Sequence, residues 1–297
     1  MTTRPLTTAI EPLTPARWRL GIFDSTTSPF PRIEDEARLG NGISYQPFDN
    51  NITDDPGFDP CATDIDVTPD EADVADEKQW QAWKLAFAKS CSTLTGGAEE
   101  ALAMVEAKAR AQAEARSSYH GEKIFWTGDI NAGDSFSGQS WANRPLASAS
   151  ATSLNSGAAT GLVQAFGLIH EYLADTLDGL RGVIHVPPIL LPYLAFYGIA
   201  VRDGFTLGTA LGDHLVAAGS GYQGTSPAGA APAAGTAWIY ATSMIRVGQT
   251  AIRVISDIDR TNNKAIAIAE RAQVAEWDLA AHAAALICLP DPGPDCP

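Results

Sequence analysis

The sequence predicts an α+β fold, and three stretches predict it. Gly96 to Gly128 reads as one long helix, Gly157 to Leu180 as a second, and the chain from Trp238 onward as strands. In the helices apolar residues recur at helical spacing, whereas after Trp238 they alternate or run continuously.

Residues 1–38 are rich in Thr and Pro, and Trp18, Phe23 and Phe30 follow neither a helical nor a strand period. A tail without apolar groups would stay unfolded; these aromatics predict an arm lying across its own domain or a neighbour's. Residues 39–77 hold no Lys or Arg and eleven acidic side chains, from Asp49 to Glu77. Such a run reads as a solvated, extended loop. GISYQPF near its start and QWQAWKLAFAKSCSTL after its end read as strands, so a long hairpin-like excursion with an acidic tip is expected.

The long helix opens with Glu99 and Glu100, whose carboxylates offset the positive end of its dipole. Ala101, Val105, Ala109 and Ala113 recur every four residues, with Leu102 beside them, and Glu106, Lys108, Arg110, Glu114 and Arg116 make a charged face. Pairs such as Glu106–Arg110 contribute only about 0.2–0.5 kcal/mol each. The buried stripe is narrow and mostly Ala, which predicts a helix lying along a flat surface and not one filling a deep core. Asp129 to Ser153 is a loop of Gly, Ser, Asn and Asp. In the second helix Leu162, Phe166, Ile169, Leu173, Leu177 and Leu180 keep the 3.6 period, and Gly182 stands where a left-handed cap is expected. GVIHVP then reads as a short buried strand, ILLPYLAFYGIAVRDG as a short helix, and Phe205 to Ala218 as strands and turns. Gly224 to Gly235 is a Gly/Ala/Pro loop. WIYATSMIRV, TAIRVISDI, AIAIAERAQVAEW and AAALICL are the closing strands.

At 297 residues the chain suits two domains or one large one, and 45% apolar content supports a sizeable core. A net charge of −15 argues against a protein that grips phosphate backbones. The fourteen Arg and six Lys are dispersed; Arg246, Arg253 and Arg260 read as interface ion-pair partners. The four cysteines form no C-x-x-C pair: Cys91 and Cys288 fall in apolar strands, Cys61 and Cys296 in loop or tail. The N-terminus has no continuous apolar core of a secretory signal. Pro187, Pro188 and Pro192 break the longest uncharged run, Gly182 to Val201, so no membrane span is expected. These features predict a soluble protein made inside the cell.

No catalytic constellation emerges. Gly219-Ser-Gly221-Tyr-Gln-Gly224 matches G-x-G-x-x-G, but TSPAGAAPAAG follows where dinucleotide binding needs a helix N-terminus. His170-Glu171 opens like H-E-x-x-H, yet Ala174 occupies the second ligand position. The remaining histidines, His120, His185, His214 and His282, have no carboxylate or Cys at ligand spacing. The twelve residues from Asp49 end in Pro60, where a calcium loop needs Glu. Asn51-Ile52-Thr53 is a sequon only in letters. The expectation is therefore no catalytic, cofactor-binding or metal residues, no cofactor, and a protein that is not an enzyme.

The order of parts resembles the tailed-phage major capsid proteins of the Hong Kong 97 fold, which encapsulin shells share, and is similar to head proteins of actinobacterial phages. Residues 1–38 resemble the N-terminal arm, 39–80 the E-loop and about 97–120 the spine helix. Residues 81–154 and 249–297 resemble the peripheral domain, and 155–248 the axial domain. GEKIFWTG (121–128) resembles the segment that ends the family's spine helix. The resemblance implies a structural subunit that assembles with other copies of itself as hexamers and pentamers. The shell would form in the host cytoplasm and enclose double-stranded DNA without sequence-specific binding, as part of a virion. Scaffolding, portal and decoration proteins are the further partners it implies, with no membrane. Because no Lys lies between 39 and 77, the cross-linked form of such shells is not expected. An encapsulin-like compartment shell, another virion part such as a tail tube or minor head protein, and a soluble enzyme of unknown class stay open.

Overall fold

The computed structural model describes residues 20–23, 32–33, 43–45, 78–80, 83–93, 98–128, 144–203, 206–212, 214–277 and 281–289. In chain order the elements are β1 (Arg32–Ile33), β2 (Ile43–Tyr45), β3 (Lys78–Trp80), β4 (Trp83–Thr93), α1 (Ala98–Thr127), β5 (Thr152–Ser153), α2 (Leu162–Thr176) and β6 (Val183–His185). A 3-10 turn (Pro188–Leu190) leads into α3 (Leu191–Phe196), and β7 (Ala200–Asp203), β8 (Thr206–Thr209) and β9 (Leu215–Ala217) follow. The chain closes with β10 (Thr236–Thr242), β11 (Ile245–Gln249), β12 (Arg253–Asp259), β13 (Lys264–Trp277) and β14 (His282–Cys288). The α+β expectation holds.

Two sheets organise the chain. In the five-stranded sheet β13 is central: β4 pairs with one edge, β11 and β12 share the other, and β1 extends β11 in parallel. β11 and β12 act as one strand with a bulge. Gln249 faces Gln273 and Arg253 faces Glu270, so Thr250, Ala251 and Ile252 oppose only Arg271 and Ala272. The bulge is fastened from β13, where Arg271 Nε–H donates to Thr250 O (2.9 Å) and the Ala272 N–H to Thr250 Oγ1 (3.0 Å). The seven-stranded sheet runs β5-β14-β10-β6-β9-β8-β7. β2 and β3 pair antiparallel with each other and so bracket residues 46–77. The acidic tip itself, like most of the N-terminal arm, lies outside the described residues.

α1 spans both sheets. Its Ala101, Val105, Ala109 and Ala113 are buried against Ala265, Ala267 and Ala269 of β13, the flat contact that the alanine stripe predicts. The helix runs through GEKIFWT to Thr127, as the reading of Gly96 to Gly128 as one helix expects and past the 97–120 that the resemblance gives the spine, about 45 Å in all at 1.5 Å per residue. The extra turns carry Ile124, Phe125 and Trp126 into a second core with Val183, Ala217, Trp238 and Tyr240. Gly128, at φ 70°, closes the helix, and Phe125 O and Trp126 O accept from the Leu146 and Ala147 N–H groups. On the opposite face of the seven-stranded sheet, α2, the 3-10 turn and α3 bury Phe166, Ile169, Leu173, Leu190 and Leu194 over Ile184, Ile239, Ala241 and Ala285.

One expectation needs correction. α2 stops before Gly182: the left-handed residues are Asp178 (φ 48°) and Gly179 (φ 78°). A Cβ on Gly182 would lie 2.8 Å from Thr242 O and from Leu173 Cδ2, so this glycine serves a close approach and not a cap. β14 and β5 pair into the sheet of β10, whereas β11 pairs with β13. The reason is visible in β14, whose Ala283, Ala284 and Ala285 are small enough to lie buried between α2 and the aromatic core. Cys288, which falls in β14 as its apolar surroundings predict, is disulfide-bonded.

Candidate functional site

The motif residues that sequence singled out turn out to be structural. Gly219 to Gly224 forms the loop that seats α1. A Cβ on Gly221 would stand 2.2 Å from Tyr119 O and 2.5 Å from Lys123 N, so only glycine lets this loop touch the helix backbone. Gly224 takes a left-handed φ of 66°. The target of the loop is Glu122, 1% exposed. Its Oε2 accepts from the Gly221 N–H (3.1 Å) and from Ser220 Oγ–H (3.0 Å). The N-terminal arm reaches the same point: Gly21 abuts the Glu122 carboxylate, Leu20 O accepts from the Ala218 N–H (2.9 Å), and Ile22 and Phe23 are buried in the aromatic core. Two separate segments, the loop and the arm, thus meet on one helical carboxylate.

A buried polar chain lies beside this junction. Thr242 Oγ–H donates to Ser243 O (2.9 Å), so its oxygen accepts from His185 Nε2–H (3.0 Å). His185 Nδ1 then accepts from the Tyr222 hydroxyl (3.1 Å), which fixes a neutral tautomer. Burial, reinforced by His282, pushes His185 down to about 3. Tyr222 is raised well above its ordinary value by burial and then by the Glu122 charge. His282 is lowered to about 4, chiefly by burial, and donates Nε2–H to Leu146 O (2.9 Å). Both histidines are buried among the core strands.

The ring of His170 of α2 lies tilted at 52° to that of His214, 4.8 Å between centroids, and His214 Nδ1 accepts from the Gly182 N–H (3.1 Å). Among the described residues, no three His, Cys, Asp or Glu side chains come together as metal ligands, and no helix is long and apolar enough to cross a membrane. Arg246 faces Glu276 within the chain at 4.0 Å, so this arginine, expected at an interface, has an internal partner. Arg253 stands opposite Glu270 across the β12–β13 ladder.

What sequence reading missed is a surface. Around α3 and the β7–β8 end of the seven-stranded sheet, Phe196 (82% exposed), Leu211 (75%), Ile189, Val201 and Tyr197 all face solvent. The Phe196 and Tyr197 rings meet edge to face at 5.1 Å, and Ala210 N–H donates to Ile199 O (2.8 Å), which joins the two halves of the patch. The signal was present in ILLPYLAFYGIAV, whose apolar residues exceed what one short helix can bury.

No family model matches the chain, and no curated protein matches it. Solved structures do. The chain is similar to the capsid protein of an empty GTA particle, with 14% identity over 92% of this chain and 97% of the other at a TM-score of 0.45. It is similar to the capsid protein of Ralstonia phage GP4, with 8% identity over 90% and 87% at a TM-score of 0.42. The encapsulin of a holo-SrpI complex from Synechococcus elongatus matches with 8% identity over 72% of this chain and 75% of its own, at a TM-score of 0.44.

Proposed function

We propose that this chain is the major capsid protein of a tailed-phage head, a structural and non-enzymatic subunit that assembles with copies of itself around double-stranded DNA. The observation that carries the reading is α1. It lies across the alanine face of one sheet, ends in the aromatic core of another, and follows a strand pair that brackets the acidic segment. That is the order arm, excursion, spine, α/β block and returning strands on which the resemblance in sequence rested. In this reading the five-stranded sheet with most of α1 is the peripheral part, and the seven-stranded sheet with α2 and α3 the axial part. Residues 49–77 would lie over a neighbouring copy, their carboxylates beside exposed guanidinium groups, in hexamers and pentamers held without covalent cross-links. Scaffolding, portal and decoration proteins belong to the same proposal, as does assembly in the host cytoplasm into a virion.

Negative-stain electron microscopy of the protein expressed alone tests it. Closed shells tens of nanometres across are expected, and shells filled with nucleic acid in infected cells would complete the assignment. Monodisperse monomers or dimers across a range of salt concentrations would overturn it.

A further inference from the structure

We infer that the flank of α1 bearing Lys108, Arg116 and Lys123 is a docking surface for the phosphate backbone of duplex nucleic acid. The inference rests on the shell reading and names the face that the subunit turns towards what is enclosed.

The geometry comes from the helix itself. At about 100° per residue, Lys108, Gln112, Arg116 and Lys123 fall within an arc of about 80° and run for about 22 Å along the axis. Lys108 and Arg116 are exposed, and Lys123 is half-buried. The carboxylates of Glu106 and Glu114 lie on the other flank, with Arg110 between them, and Glu122 is buried in the loop seat. Glu106 is moreover tied to the sheet, where it accepts from the Ser256 Oγ–H of β12. The basic flank therefore overlies the opposite edge, along which α1 meets β4. The eleven residues of β4 add Lys84 and Lys89 and no acid. Five of the chain's six lysines fall between Lys78 and Lys123, so a chain of net charge −15 still gathers positive charge along one margin.

These cations are available. Among the described residues Lys108, Arg110, Arg116 and Lys123 form no ion pair, not even the pairs with Glu106 and Glu114 that the spacing of Arg110 allows. Exposed cations elsewhere have a carboxylate at hand: Arg246 faces Glu276, Arg253 stands opposite Glu270, and Lys264 acts on Asp259.

The surface also selects its partner. Between the exposed Met104 and Tyr119, the ridge of the outer face is Ala107, Ala111 and Ala115. Such a ridge offers a protein partner no large side chain as an anchor. What remains is a line of point charges. A duplex carries one phosphate per about 1.7 Å of its axis, so each cation meets a phosphate whatever the register. Contacts of this kind position a duplex without reading its bases. Three per copy are weak, and repetition over many copies of one wall multiplies them.

The test measures binding of a fluorescent mixed-sequence DNA duplex to the full chain over a salt series. The variant combines Lys108→Gln, Arg116→Gln and Lys123→Gln, and a charge-matched control combines Arg253→Gln, Arg260→Gln and Lys264→Gln. Three phosphate contacts predict a slope of log affinity on log salt of about −2.7, hence about a fortyfold loss between about 50 and 200 mM. The flank variant should bind at least tenfold more weakly at the lower salt, with a flatter slope, while the control keeps both. An equal loss in the control, or no binding by the unmodified protein, overturns the inference; closed shells seen by electron microscopy then leave the shell reading standing. Binding through the flank by a protein that never closes into shells supports the docking surface and sinks the shell. A flank that prefers polyglutamate to the duplex has an acidic protein as its partner, which overturns the phosphate assignment. If the variant melts early, lysine acylation of the unmodified protein decides. The duplex must protect Lys108 and Lys123 and spare Lys264, and unchanged labelling at 108 and 123 refutes the contact.

Discussion

Replacing Gly221 with Ala asks whether the loop-to-helix seat is as tight as its geometry implies. The added Cβ would sit 2.2 Å from Tyr119 O and 2.5 Å from Lys123 N, and neither neighbour is a side chain that can swing away. Relief to ordinary contact requires the loop to retreat by about 1 Å, an overpacking that costs about 1–3 kcal/mol. The same retreat stretches the Gly221 N–H bond to Glu122 Oε2, now 3.1 Å, beyond hydrogen-bonding range. A hydrogen bond to a buried charged acceptor contributes about 1.5–3 kcal/mol. Together these predict a loss of about 4 kcal/mol, which for a chain of this size lowers Tm by about 10 °C. Gly167→Ala supplies the opposite sign. This glycine lies in the middle of α2 with no atom within 4 Å of its would-be Cβ, so alanine should stabilise by about 0.5–1 kcal/mol through backbone entropy. Thermal unfolding of unassembled subunits at low concentration measures both. If Gly221→Ala melts within 2 °C of the unmodified protein, with a normal hydrogen-exchange pattern at residues 119–126, the description of the seat is wrong.

Two further outcomes follow from the core. His185 and His282 are neutral when folded, with values lowered to about 3 and about 4. The unfolded chain therefore binds more protons between those values and the ordinary 6.5, and stability falls as pH drops through that window. Between pH 7 and pH 5 each histidine costs about 2 kcal/mol. Urea unfolding at the two pH values should show a smaller difference in His185→Gln than in the unmodified protein, and an equal difference would exclude His185 as a source. Ala267→Leu would drive a larger side chain into the α1–β13 contact, where Ala267 is fully buried against the helix stripe. A loss of about 1–3 kcal/mol is expected in the urea midpoint, and full stability would mean that the helix does not lie flush on the sheet.

The alanine stripe of α1 was legible because a four-residue recurrence of small residues has one physical meaning, a shallow contact with something flat. The closing strands were legible for the same kind of reason, since alternation in RVISDID and the buried run HAAALIC carry period and burial together. The end of α1 was legible too, because Gly128 stands where a left-handed residue closes the helix. What GEKIFWT did not reveal is the second sheet whose core its Ile-Phe-Trp enters. The partner of β14 was not legible because its alanines suit any close-packed face, and pairing with β10 depends on residues 40 positions away or more. The junction at Glu122 was invisible for the same reason: nothing in Ser220-Gly221 announces a carboxylate from a helix far upstream. The apolar patch could have been found by asking how much of ILLPYLAFYGIAV a six-residue helix is able to cover.

α1 also has a consequence for how the chain is made. The ribosome finishes the helix about 140 residues before β13 begins to emerge, which at 5–20 residues per second is a wait of about 7–30 s. A stripe of leucines would spend that interval exposed to every other nascent chain. A stripe of alanines offers little to bind, and the Ile-Phe-Trp end of the helix has partners much sooner, in Ile22 and Phe23 made before it and in Leu146 and Ala147 soon after. The interface that looks weak in the finished subunit is therefore one that survives being left open while the rest is synthesised.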